Sequence, residues 1–66
     1  MKIGTILIYD NSVYCRIQDI RDDTRYPYVV LIDDGYIEYF SSHFVHNNFY
    51  ITDIEMDEIQ FKLTYT

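Results

Sequence analysis

Alanine and tryptophan are absent from this chain, and 66 residues hold only one cysteine, one proline and two glycines. Each shortage excludes something. A lone Cys15 has no internal disulfide partner, so a reducing, intracellular setting is expected. Without alanine the strongest helix former is missing. Gly4 and Gly35 stand isolated and build no phosphate-cradling loop. No apolar run approaches the ~20 residues that span a bilayer. The opening Met1-Lys2-Ile3-Gly4-Thr5 lacks the architecture of a secretory leader, so a cytoplasmic chain is expected.

Cations are scarce too. Five Lys and Arg face eleven Asp and Glu, for a net charge of −6, and the imbalance is one-sided. Residues 1 to 32 are neutral, while residues 33 to 66 carry seven carboxylates against Lys62 alone. Such a field repels phosphate and anionic membrane and attracts basic surfaces, which argues against direct nucleic-acid binding and for a basic protein partner.

What is abundant points to strands. Eight Tyr and four Phe join many β-branched residues in a chain that is 48% hydrophobic. So short a chain makes one domain, residues 1–66, and buries only ~60% of the surface its unfolded form exposes. Thr5 to Tyr9 reads as a strand whose unbroken Ile6-Leu7-Ile8 run suits cover on both sides. Asp10-Asn11-Ser12 is a turn. From Val13 to Ile20 the pattern alternates, Val13, Cys15 and Ile17 facing a core and Tyr14, Arg16 and Gln18 facing out as a half-exposed strand. A charged loop, Arg21-Asp22-Asp23-Thr24-Arg25, precedes Pro27 and offers weak local ion pairs.

Tyr28 to Ile32, the Asp33-Asp34-Gly35 turn and Tyr36 to Phe40 form a hairpin, with Gly35 supplying positive φ for a tight or bulged turn. Ser41 caps one helical turn that folds Phe44 toward Phe40, His46-Asn47-Asn48 is a turn, and Phe49 to Ile54 is a further strand. Asp57-Glu58 then turns into a last strand, where Ile59, Phe61, Leu63 and Tyr65 alternate with Gln60, Lys62, Thr64 and Thr66.

These segments resemble a known architecture. Tyr14-Cys15-Arg16-Ile17-Gln18-Asp19-Ile20, the hairpin from Tyr26-Pro27-Tyr28 to Asp34-Gly35, and Glu38-Tyr39-Phe40-Ser41-Ser42 with Phe44-Val45 look like the SH3-like barrels. The Tudor-like branch is the nearest in pattern, along with small stand-alone bacteriophage proteins of this type. The resemblance covers residues 3 to about 54 and implies a barrel of about five antiparallel strands with one short helical turn. The alternating tail goes beyond it as an extra strand. Tudor-like members often hold methylated side chains in an aromatic cage, and phage members tend to bind and block a host protein; both are implications of the resemblance.

Several constellations follow. Tyr9, Tyr14 and Tyr36 flank turns that also carry acids, as an aromatic cage for a cation requires; the alternative is packing on a half-buried sheet. Asp53, Glu55 and Asp57 would line one side of a strand at ~6.6 Å intervals, either as a nucleic-acid mimic or as a charged edge that resists aggregation. His43 and His46 share a helical face, but no third ligand is evident, so neither metal nor cofactor is expected. The acid pairs Asp22-Asp23, Asp33-Asp34 and Asp57-Glu58 lie in turns, and a core-facing Cys15 is a poor nucleophile, which argues against an enzyme. The expected function is non-enzymatic protein binding, of the phage-inhibitor type, through Tyr14, Tyr36, Tyr39, Asp33, Asp34 and Glu38. The alternatives are an acidic mimic and a modified-side-chain reader. Two copies could pair through the C-terminal strand.

Overall fold

A computed structural model describes residues 1–22 and 24–65; Asp23 of the charged loop and Thr66 of the tail lie outside the described residues. Among the described residues, five strands and two helices follow one another along the chain: β1 (Thr5–Tyr9), β2 (Val13–Ile20), β3 (Tyr28–Ile32), β4 (Ile37–Phe40), α1 (Ser42–Asn48), β5 (Phe49–Glu55) and α2 (Glu58–Tyr65). The strands form one antiparallel sheet in the order β4-β3-β2-β1-β5. Among the described residues the sheet is not closed, so β4 and β5 remain its two edges.

Turn chemistry sets the meander. Asp10 and Asn11 both adopt positive φ, +54° and +60°, as a primed hairpin turn demands. At the second hairpin Gly35 sits at φ +96°, and its N–H donates to Ile32 C=O while Ile32 N–H donates to Tyr36 C=O. Nothing lies within 4 Å of a Cβ built on Gly35, so the glycine serves the dihedral and not the space.

The sheet has a core on each face. On one, Leu7, Cys15, Ile17 and Val30 pack with Val45 of α1 and Phe49. On the other, Ile6 and Leu31 pack with Phe61 of α2, flanked by Tyr14, Met56 and Tyr65. Consecutive residues Ile6 and Leu7 thus enter opposite cores, which is why the β1 run is apolar without a break.

The tail corrects the expected last strand. Ile59 to Tyr65 is helical because two local signals outweigh the alternation. Asp57 accepts the Gln60 N–H at 2.7 Å, an N-cap with Gln at the third helical position. Phe61 and Tyr65, four apart, then fall on the same helical side and fill the second core, while Ile59 and Leu63 point to solvent. Glu58 and Lys62 add an i,i+4 ion pair at 2.9 Å. The pairing of two copies through that strand therefore has no strand to use.

Smaller corrections follow the same logic. α1 runs through the expected His46-Asn47-Asn48 turn, because Asn47 and Asn48 donate their amides to the carbonyls of His43 and Phe44, four residues back. Ser41 caps it as expected, accepting the Phe44 N–H at 3.1 Å, and Phe44 stacks on Phe40 at 4.8 Å. The face of β2 expected to be half exposed is the seat of α2: Arg16 Nε donates to Met56 C=O at 2.7 Å, and Gln18 bonds Glu58.

Phe61 is fully buried, so Phe61→Ala should cost about 3–5 kcal/mol through lost transfer energy and the cavity left behind. Asp57→Ala should cost about 1 kcal/mol through loss of the cap. Urea midpoints measure both, and an unchanged midpoint for Phe61→Ala would refute a stabilising second core.

Candidate protein-binding surface

The expected contact residues divide sharply once the strands are in register. Antiparallel partners share a face, so Tyr9, opposite Val13, lies on the α1 side, and Tyr14, opposite Ile8, lies on the α2 side. The cage of Tyr9, Tyr14 and Tyr36 is therefore not assembled. The Tyr14 ring is stacked on Tyr65 at 4.3 Å and 11°, half-buried under α2, and it is not a free contact residue. Tyr9 instead packs on Phe49 at 5.4 Å and borders an apolar cleft of about 190 Å³ whose walls include Cys15, Ile32, Phe40 and Phe44.

The acidic row is likewise not a row. β5 ends at Glu55, which pairs with Lys2 at 3.3 Å, while Asp57 is committed to the cap of α2. Asp53 is left exposed on the strand. His43 and His46 stand on the exposed side of α1, where His46 Nδ1 lies 2.8 Å from Ser42 C=O. Among the described residues no three His, Cys, Asp or Glu side chains come together as a metal site, and no helix is long and apolar enough to cross a membrane.

What the fold does bring together is the hairpin and its outer strand. Asp33 is structural: its Oδ2 accepts the Tyr14 N–H at 3.0 Å, and its own N–H donates to Tyr14 C=O at 2.9 Å, clamping the turn to β2. Asp34 is exposed and accepts the Tyr36 N–H at 3.0 Å. Beyond it, Tyr36, Ile37 and Tyr39 leave 70%, 41% and 52% of their surfaces exposed, with the exposed carboxylate of Glu38 between them. Ile37 and Tyr39, paired with Leu31 and Val29, share the α2 face; Glu38, paired with Val30, has the opposite one. Lys62 of α2 lines a cleft of about 170 Å³ beside the turn with Leu31, Asp33, Asp34 and Gly35. Two members of this surface escaped the sequence reading. Ile37 could have been found from its alternation with Tyr39; Arg21, whose guanidinium lies 5.1 Å above the Tyr39 ring, comes from a distant loop and left no signal.

Compared with known proteins, no family model matches the chain, no curated protein matches its sequence, and no solved structure matches its fold. The surface has to be interpreted from its own chemistry.

Two carboxyl and thiol environments complete the electrostatics. Hydrogen bonds from Lys62 and then Gln18 hold the Glu58 carboxyl below its ordinary value, fastening α2 to β2. Burial, helped by the charges of Asp33 and Asp34, pushes the Cys15 thiol from 9.0 to about 12. Between these two values the unfolded chain has lost the thiol proton and the folded chain keeps it, so stability should fall as pH rises from about 9 to about 12. Cys15→Ser should flatten that alkaline decline in urea titrations. In the folded protein at neutral pH, alkylation of Cys15 should be slow and should accelerate on unfolding; equal rates would contradict the burial.

Proposed function

We propose that the chain is a non-enzymatic protein-binding module of SH3-like type whose contact surface is the second hairpin and β4. The exposure of Tyr36, Ile37 and Tyr39 beside the Asp34 and Glu38 carboxylates carries this reading. Tyrosine combines a large apolar face with a polar tip and so contributes heavily to protein interfaces. Surrounding carboxylates select a basic partner and speed the encounter. The five antiparallel strands, with a short helix between the fourth and fifth, support the SH3-like part of the reading. Catalysis through a cysteine nucleophile is disfavoured because the only thiol is buried and held protonated. The resemblance to stand-alone bacteriophage proteins extends the proposal to inhibition, in which the chain occupies a basic surface of a host protein.

The test compares capture from host lysate by the wild type, by Tyr36→Ser/Tyr39→Ser and by Tyr50→Ser, which removes an equally exposed tyrosine on β5. A partner retained by the wild type and by Tyr50→Ser, and lost by the double variant, is the expected result. The captured partner should weaken between ~0.1 M and ~1 M salt, as screening of an acidic surface requires. Equal capture by all three proteins would overturn the assignment.

A further inference from the structure

We propose that β4 takes up an extended segment of the partner as a sixth strand, and that the segment alternates apolar and basic residues. The inference rests on the binding surface proposed above and names the kind of ligand it receives.

The backbone supplies the first argument. In an antiparallel pair, residues alternate between those bonded to the neighbouring strand and those whose N–H and C=O point away from it. Ile32 N–H donates to Tyr36 C=O, which places the pairs Val30–Glu38 and Tyr28–Phe40 in the bonded class. Ile37 and Tyr39 therefore direct their N–H and C=O groups outward from the sheet. They are also the β4 residues whose side chains stand exposed on the α2 face. The edge thus offers main-chain donors and acceptors together with two apolar side chains in register.

The two edges are not equivalent. β5 pairs with β1 through a register shift between Thr5 and Leu7, and it carries the Lys2–Glu55 ion pair at its end. A bulge and a charge pair are common ways of blunting an edge. β4 pairs with β3 through four consecutive residues without a shift, so it presents a regular template.

Charge decides the occupant. Glu38 lies at the centre of β4, Asp34 at its hairpin end, and the chain as a whole carries −6. A second copy pairing antiparallel on β4 with Ile37 opposite Tyr39 would bring the Glu38 side chains together, and any such pairing adds like charge, which is unfavourable. A foreign segment with Lys or Arg beside Glu38, and Val, Ile or Leu beside Ile37 and Tyr39, satisfies both faces at once. Arg21, over the Tyr39 ring, confines the acidic field to the hairpin end, so further basic residues of the segment belong near Asp34.

The probe is a synthetic peptide of about nine residues alternating lysine and valine, titrated to ~1 mM into the ¹⁵N-labelled chain. Amide exchange at Ile37 and Tyr39 should slow by on the order of tenfold, and a glutamate–valine peptide should leave it unchanged. Tyr39→Pro removes an outward N–H without removing a bond to β3 and should abolish the effect. Should that variant fail to fold, Glu38→Lys serves instead and should weaken the lysine peptide. Shifts at Tyr36 and Tyr39 without protection of Ile37 and Tyr39 would overturn strand addition while leaving the binding surface standing. No response to the lysine peptide would also overturn it; the lysate capture then reports separately on the surface. Protection of the same amides in the free protein, with a dimer in sedimentation, would assign the edge to a second copy and refute the proposal.

Discussion

Both faces of a five-stranded sheet have to be covered by a chain of 66 residues, and nearly every other feature answers to that constraint. One short helix serves each face. α1 delivers Val45 to the core around Leu7, Cys15, Ile17 and Val30, and α2 delivers Phe61 to the core around Ile6 and Leu31. Helices of seven and eight residues cover the middle of the sheet and, at the β4 margin, only Phe40, on which Phe44 of α1 stacks. Tyr36, Ile37 and Tyr39 stand exposed where that cover runs out. The candidate surface is thus the part of a small sheet that its own chain leaves bare, edged by carboxylates.

The acidic residues do different kinds of work. Asp33 and Asp57 are spent on main-chain N–H groups, one clamping the hairpin to β2 and the other starting α2. Glu55 and Glu58 are paired with Lys2 and Lys62. Asp34 also accepts a local N–H, but it stays exposed beside Glu38. A net charge read from composition therefore overstates the free acidity of the second half, where Asp34, Glu38 and Asp53 stay exposed and outside these ion pairs and caps.

Where the chemistry was local, it was legible in the sequence. The boundaries of β1, β2 and β3, the positive φ at Gly35, the Ser41 cap and the return of Phe44 onto Phe40 all follow from residues a few positions apart. Ile59 to Tyr65 is ambiguous as a pattern, because strict alternation over seven residues also contains an i,i+4 pair, Phe61 and Tyr65, and the Asp57-Glu58-Ile59-Gln60 cap decides for the helix. Exposure at the expected contact residues was legible in part. Tyr36, Tyr39, Asp34 and Glu38 are exposed, whereas Tyr14 stacks on Tyr65 because the segment after β5 is a helix that covers it, a contact no local pattern announces.

Gly4 and Met56 join the two ends of the fold: Met56 N–H donates to Gly4 C=O at 3.0 Å, and a Cβ on Gly4 would meet the Met56 carbonyl oxygen at 3.1 Å. Phe61 lies just beyond this junction. The first core draws on no residue beyond Ile51, whereas Ile6 and Leu31 have no ring to bury them until Phe61 docks. A form that has built the first core but not docked α2 therefore carries an open apolar face, and the docking of Phe61 governs how long that face is available to other chains.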